Sequence, residues 1–237
     1  MIVFNGMALE QVAPVKIVDI RVSPIQMTAV ARQRPIAWGA DFVRMTGGSR
    51  TVSIDFALLT DNRDERSSQL AAITRWARSD RPGKLMLPNR RGAYLEAICT
   101  ALPEPSFRQW WESKLRIVFT TYDNPYWTSL GEKSVACGTA FMVLGDAPPL
   151  MRIERTLSAA VSSTQTYGNG SESMSFSAIP AGDMVIDLNR QTAAVTSGTT
   201  TTSIMSTYTF GSTFLVPRTG AQTITGTGTV KWRERWD

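Results

Sequence analysis

Apolar side chains in this chain recur at every second residue, and a period of two is the signature of a β-strand with one face buried and one face wet. Val52, Ile54, Phe56 and Leu58 alternate with Thr51, Ser53 and Asp55; Leu115, Ile117 and Phe119 alternate with Lys114, Arg116 and Thr120. Val15 and Ile17 are followed by Val18, Ile20 and Val22, a one-residue slip in phase that predicts a β-bulge. A helical period occurs in one place. Asp61 or Asn62 is placed to cap it, and Asp64 and Glu65 fall in its first turn. Leu70, Ile73, Trp76 and Ala77 then recur at helical spacing until Asp80-Arg81-Pro82-Gly83 stops the run, which predicts a helix over about 62–78. Trp76 reads as an anchor of the core rather than a ligand platform. The pattern is that of a mostly β fold, with a β-sandwich plus one helix in the N-terminal part.

Residues 25–48, with Arg34-Pro35 and Gly47-Gly48, are less regular and read as a long connection, which ordinarily means function or contact. Lys84–Leu87 and Tyr94–Thr100 read as short strands, and Arg90-Arg91 beside Gly92 as an exposed hairpin tip rather than a phosphate clamp. Asp123-Asn124-Pro125-Tyr126-Trp127 breaks the strand pattern and divides the chain into domains at 1–130 and 131–237. Beyond it Ser, Thr and Gly become frequent. Met151–Leu157, Ser173–Ala178, Met184–Leu188, Thr213–Val216, Gln222–Thr225 and Thr229–Trp236 read as short strands of a second β-sandwich. The threonine-rich run Ser197–Ser203 reads as a mobile loop or an edge hairpin.

With 237 residues and 26.1 kDa, the chain can bury about 70% of its unfolded surface, enough for one large core or two ordinary ones. It contains no His, which removes Ser-His-Asp and Cys-His nucleophile sites and imidazole-bound zinc. Cys99 and Cys137 are too few for a Cys₄ site or a disulfide framework. Gly-x-Ser-x-Gly and Gly-x-x-x-x-Gly-Lys-Ser/Thr are absent, and Gly168-Asn169-Gly170 is a turn signal with no helix after it. Asp183 and Asp187 are a conceivable carboxylate pair but read better as turn residues. The expectation is a protein without catalytic residues, cofactor or metal. Tyr126, Trp127, Trp232 and Trp236 could in principle line a sugar-binding groove.

The net charge of +5 is uneven: residues 1–130 hold 17 Lys and Arg against 12 Asp and Glu, whereas residues 131–237 hold 8 of each. The basic residues are interspersed with acids such as Asp64, Glu65 and Asp80, a mixed-sign surface rather than a nucleic-acid stripe. The first residues have no basic segment leading an apolar run, and no stretch of about 18 apolar residues occurs, so neither a secretory signal nor membrane insertion is expected. Two lone thiols fit folding in a reducing cytosol.

Several segments in colinear order carry a family resemblance: Phe4-Asn5-Gly6, Arg50-Thr51-Val52-Ser53-Ile54, the helix with Leu70 and Trp76, Leu85-Met86-Leu87-Pro88, Tyr94, and Asp123-Asn124-Pro125-Tyr126-Trp127. Gly182-Asp183-Met184-Val185-Ile186-Asp187 and Trp232-Arg233-Glu234-Arg235-Trp236 extend it into the second half. Together they resemble the distal tail protein (Dit) family of long-tailed, non-contractile bacteriophages. Two segments depart from the family pattern: Pro217-Arg218-Thr219-Gly220-Ala221-Gln222 stands where a Pro-Gly-x-Asn turn is usual, and the loop at Thr199–Thr202 is unusually rich in threonine.

The resemblance implies a virion tail component, assembled in the host cytoplasm, that forms a homo-hexameric ring at the distal end of the tail. The N-terminal domain would build the ring and its channel, and a galectin-like β-sandwich would project outward from it. The implied partners are the tail-tube protein above, a tail-tip or tail-associated protein below, and the tape measure protein in or near the channel, with DNA passing through unbound. Arg34, Trp38, Phe42, Trp110 and Trp111 are the candidate contacts to subunits or neighbours. The alternative reading is a carbohydrate-binding module of a phage tail or baseplate that recognises the host surface.

Overall fold

The computed structural model describes residues 1–33, 40–60, 62–103 and 115–237, with segments 27–33 and 40–47 described by their backbone alone. The chain divides into two compact units, residues 1–127 with Asp237, and residues 128–236.

The first unit opens with β1 (Val3–Phe4) and β2 (Met7–Ala8), joined by the two-residue turn Asn5-Gly6. Both turn residues have positive φ, 50° and 84°, the type I′ geometry that matches strand twist and that Asn-Gly favours. A single helical turn, α1 (Leu9–Val12), precedes β3 (Val15–Val22). Next come β4 (Met27–Gln33), β5 (Ala40–Gly47), β6 (Thr51–Leu58) and α2 (Arg63–Ala77). Then follow β7 (Gly83–Met86), β8 (Ala93–Ala101) and β9 (Leu115–Thr120).

These strands make two antiparallel layers that share β8. One runs β2-β1-β7-β8 and the other β3-β6-β9-β8. Ala97, Glu96 and Leu95 of β8 pair with β7, whereas Ile98, Cys99 and Ala101 pair with β9. The anticipated bulge in β3 is present, as a register shift against β6 between Ile17 and Asp19. The outer face there opposes Asp19 to Asp55, a costly like-charge pair. It is relieved by Arg116, which grips Asp55 through Nε at 2.6 Å and Nη2 at 3.0 Å, and by Arg21, which binds Asp19 at 2.6 Å.

Helix α2 is capped by Asn62, whose Oδ1 accepts from the Asp64 amide at 2.9 Å, and it ends at Ala77, within a residue of the anticipated 78. Its buried face presents Ile73, Trp76 and Ala77. The Trp76 ring meets Phe4 of β1 at 5.9 Å and Phe119 of β9 at 6.1 Å, and Phe4 and Phe119 meet each other at 4.9 Å. One aromatic triad thus joins the helix to both layers, and Trp76 Nε1 donates to the Met7 carbonyl at 2.9 Å. The core-anchor reading of Trp76 holds.

The expected long connection at 25–48 is instead a β-ribbon. Met27–Gln33 pairs with Ala40–Gly47, with a bulge between Val30 and Ala31. Hydrogen bonds from Ser23 to Thr51, Gln26 to Ser49 and Gly48 to Gln26 carry the β3–β6 pairing on into the ribbon. Among the described residues β4 and β5 pair only with each other. The sequence of β4, with Ala29-Val30-Ala31 in succession, lacks the clean alternation of β6.

Strand β10 (Trp127–Ser129) leads into the second unit. There follow β11 (Lys133–Ala136), β12 (Ala140–Val143), β13 (Ala147–Leu157), β14 (Gln165–Gly168) and β15 (Ser173–Phe176). Next are β16 (Gly182–Asp187), β17 (Thr192–Ser197), β18 (Thr200–Ser203), β19 (Gly220–Thr223) and β20 (Thr229–Trp236). One layer runs β18-β17-β16-β13-β20, with β11 also on β20. Opposite it stand the ribbons β12–β19 and β14–β15, bridged by Gly168 and Thr225, with residues 207–213 bonded along β15. Between the layers lies a core that includes Ile153, Tyr167, Met174, Phe176, Ile186, Val195 and Val230. No helical period was expected here, and a single 3₁₀ turn, Met205–Thr207, is the helical content among the described residues.

Several local expectations shift. Residues 213–216 form no strand; Phe214 and Leu215 are buried there and Pro217, which cannot donate to a ladder, follows. The threonine run is the edge hairpin β17–β18, closed by Gly198-Thr199 with Gly198 at φ 59°. In the second unit β11, β12, β14 and β17 are short strands beyond those anticipated. Strand β13 starts earlier than Met151, its pairing with β20 shifting across Pro148-Pro149, which cannot donate to a ladder.

Candidate functional surfaces

Arg34, Trp38, Trp110 and Trp111 lie outside the described residues, and Phe42 sits on β5 opposite Ala31. Arg90 and Arg91 are exposed in the turn between β7 and β8, as expected of a hairpin tip. The Arg90 guanidinium lies 5.7 Å from the centre of the Trp127 ring.

Of the four aromatics that could in principle line a groove, Tyr126, Trp127, Trp232 and Trp236, two are buried. Trp127 and Trp232 are 2% and 5% exposed, so neither can offer a ring face to a sugar. Trp232 packs on Phe141 at 4.6 Å inside the second unit. The long apolar side chains were needed for the core, which outbids a surface role.

Asp183 and Asp187 lie on the same face of β16, four residues apart, which sets their Cα atoms about 13 Å from each other. Asp183 accepts from Thr156 Oγ1 at 2.7 Å, and Asp187 accepts from the Asn189 and Arg190 amides at 3.0 Å. The second is an Asx turn, the role its position suggested. Two carboxylates so placed do not flank one glycosidic bond. Among the described residues, no three Asp, Glu or Cys side chains are grouped to hold a metal ion. Cys99 and Cys137 are half-buried free thiols whose burial pushes both above the ordinary thiol range, away from reactivity.

On the outer face of the second unit's larger layer, charges are paired off among themselves. Arg152 binds Glu132 at 2.7 Å and Glu154 at 2.5 Å, and Lys231 binds Glu154 at 2.7 Å. The hydrogen bond from Lys231, then that from Arg152, holds the Glu154 carboxyl below its usual range.

The opposite layer carries a cleft of about 370 Å³. Ala140 and Ala221, on the exposed faces of β12 and β19, lie in its lining beside Asn169, Arg218, Gln222 and Thr223. A hydrogen-bond cluster under its rim is centred on Glu172. The Glu172 carboxylate accepts from the Val216 amide at 2.8 Å, from Asn169 Nδ2 at 2.8 Å and from Arg218 Nη2 at 2.6 Å. These donors, the Val216 amide first, hold its carboxyl below the usual range. Asn169 Oδ1 in turn accepts from the Ser171 and Glu172 amides, closing the turn that Gly168-Asn169-Gly170 signalled. Arg218 and Gln222, both in the Pro217–Gln222 segment, are brought to Asn169 by the Gly168–Thr225 bridge and the Arg218–Glu172 ion pair.

Neither a family model nor a curated protein matches the sequence. In three dimensions the chain is similar to the crystal structure of SPP1 Dit (gp 19.1), described as a paradigm of the hub adsorption apparatus in phages that infect Gram-positive hosts. The TM-score is 0.71 at 12% identity, and the alignment covers 99% of this chain and 98% of that one. The chain has the Dit fold. It also aligns with chains of the phage P2 baseplate in its activated conformation, with Ca at TM-score 0.49 and 8% identity and with Sr at 0.47 and 10%, each over 94% of this chain and 91% of the other. Those two likenesses are too loose to build on. The sequence resemblance and the fold thus agree on a Dit-like architecture. Exposed apolar side chains among the described residues include Met1, Leu59 and Tyr122 in the first unit and Leu144 and Phe210 in the second. No helix in the described residues is long and apolar enough to cross a membrane.

Proposed function

We propose that the chain is a Dit-family virion protein that acts as a non-catalytic hub of a phage tail. In this reading six copies close a ring at the distal end of the tail. The ring adapts the tail tube to the tail-tip and receptor-binding apparatus, and its channel is part of the path of DNA ejection. The N-terminal domain, 1–130, builds the ring, and the domain at 131–237 is a galectin-like β-sandwich. Tail-tube, tail-tip and tape measure proteins are the neighbours, and the tail is assembled in the host cytoplasm.

The observation that carries this reading is the end-to-end match to SPP1 Dit, which spans both units and leaves almost nothing of either chain over. A second observation supports it. The β4–β5 ribbon has no third strand among the described residues, and an isolated two-stranded ribbon is marginal in water. Contact with a neighbouring subunit would supply what it lacks, and ring closure would cover sheet edges that otherwise invite aggregation. A conduit should not grip DNA, so the basic excess of residues 1–130 faces neighbouring proteins rather than the channel.

Light scattering at two concentrations, followed by single-particle images, tests the ring. A mass of six chains and a central hole are expected. A strict monomer that stays monomeric with its tail-tube neighbour would overturn the reading, and a channel wall dominated by Arg and Lys would overturn the placement of charge.

A further inference from the structure

The sheet edges of this molecule are not treated alike. Strand β3, the edge of its layer among the described residues, carries Lys16, Asp19 and Arg21 and a bulge, devices that stop an open edge from pairing with another chain. Strand β18, the edge of the second unit's larger layer, carries none of them. Its residues are three Thr and one Ser, all exposed, and no Asp, Glu, Lys or Arg occurs anywhere from Gln191 to Pro217. We propose that β18 is a self-pairing edge, through which the second units of two copies of this chain join antiparallel about a two-fold axis.

The hairpin geometry says which backbone groups are on offer. The two-residue turn Gly198-Thr199 joins β17 to β18, so the flanking pair Ser197 and Thr200 exchange hydrogen bonds, as do Val195 and Thr202 two residues on. The Ile204 amide then donates to the Ala193 carbonyl at 3.0 Å, in the same phase. Thr201 and Ser203 alternate with these. Their backbone N–H and C=O groups point away from β17, where no hydrogen bond reaches them among the described residues. A second β18, turned about a two-fold axis at Thr202, fits this row. Thr201 of each copy then meets Ser203 of the other, and the four hydrogen bonds exchanged use every outward group of both strands.

Charge identifies the occupant. A contact about a two-fold axis sets the residues near the axis against themselves, so any charge there meets its own sign. An edge without charges is the kind that tolerates its own copy, whereas a foreign partner is ordinarily selected by complementary charge, which this edge does not provide. Threonine suits the role, because its branched Cβ favours extended backbone and facing Thr side chains pair across strands. The same side of the sandwich continues in residues 207–213, which follow β18 after three residues and bond along β15 as the edge of the other layer. Phe210 is fully exposed there, on a turn held by the Ser212 amide donating to the Thr209 carbonyl at 3.1 Å and by Gly211 at φ 84°. A rigid aromatic next to an open edge is the composition of an interface centre. Ring closure links copies head to tail, a different kind of contact, so self-pairing does not rest on the ring reading and joins either two free copies or two rings.

Sedimentation velocity on the full chain, over a concentration series from about 1 μM to about 1 mM, tests this. The mass of the assembling unit, one chain or one ring, should double towards the upper end. Thr201→Pro removes an outward N–H and no bond to β17, so it keeps the fold and should weaken pairing about tenfold or more, two hydrogen bonds being lost per pair. Thr202→Lys and Thr202→Asp each set like charges across the axis and should not double alone, while their equimolar mixture doubles, more strongly at low salt than at high. Doubling of the mixture also shows that both variants fold. A mass that stays constant with concentration would leave the edge to a strand of another protein and overturn the proposal. Doubling that survives Thr201→Pro, or a mixture that pairs no better than its parts, would overturn it too. Because doubling is counted from whichever unit forms, the failure of the ring and the failure of self-pairing are read separately.

Discussion

The two units reach stability by different means. The first packs a helix against two layers that share one strand, and its centre is a cluster of three aromatic rings from α2, β1 and β9. It also sends out a ribbon that pairs with nothing else described, and residues 1–130 hold the whole charge excess. In the second unit ribbons face a broad sheet, the core is mostly aliphatic with Phe, Tyr and Trp, and the charges on the sheet's outer face satisfy one another. The difference teaches where partners are needed. A unit with an unfinished ribbon and unbalanced charge is suited to assembly, while a unit that balances its own charges is suited to standing free and presenting an edge.

The largest test of that contrast is Trp76→Ala. It removes two ring contacts and the bond to Met7, and should cost the first unit about 3–5 kcal/mol while leaving the second unit's melting unchanged. Calorimetry would read this as one shifted transition; two equal shifts would mean the units do not fold independently.

Gly182→Ala probes the second unit. Gly182 has φ 136°, and a Cβ there would lie 2.5 Å from the Thr196 carbonyl oxygen on the neighbouring strand. Both the backbone conformation and the clash oppose a side chain, so a loss of about 2 kcal/mol is expected in chemical denaturation. A silent substitution would show that the β16–β17 pairing yields easily, contrary to a self-contained unit.

The smallest effect concerns the paired charges. Because Lys231 and Arg152 hold Glu154 below its ordinary value of 4.5, its ionised form stabilises the fold. That contribution is complete above the ordinary value and is lost as pH falls through the lowered one. Glu154→Gln should therefore cost about 0.5 kcal/mol at neutral pH, and the gap from the parent should close in acid and shrink in high salt. Urea midpoints across pH would check the sign; a gap that widens in acid would contradict it.

The elements that were legible in the sequence share one property: their signals are local. The β6 alternation, the α2 cap and spacing, and even the β3 bulge follow from neighbours within a few residues. The Asn5-Gly6 hairpin is equally local, a two-residue turn between paired strands. The missed elements had weak local signals. Ribbon β4–β5 pairs with no third strand among the described residues, and β14 and β17 are short and built largely of small or hydroxyl residues. Two of the four groove aromatics were lost for another reason, because composition offers Trp127 and Trp232 equally to surface and core, and burial decided for the core.

Residue pattern by itself determined the mostly β class, the one main helix and which faces of the clear strands are apolar, since period and capping act over a single turn or pleat. Tertiary structure alone decided which strands meet. It split β8 between two partners, drew β12 to β19 across most of the second unit, and brought Asn169, Arg218 and Gln222 around one cleft. Such meetings require closing long loops, and their energy lies in contacts that no short window of sequence contains.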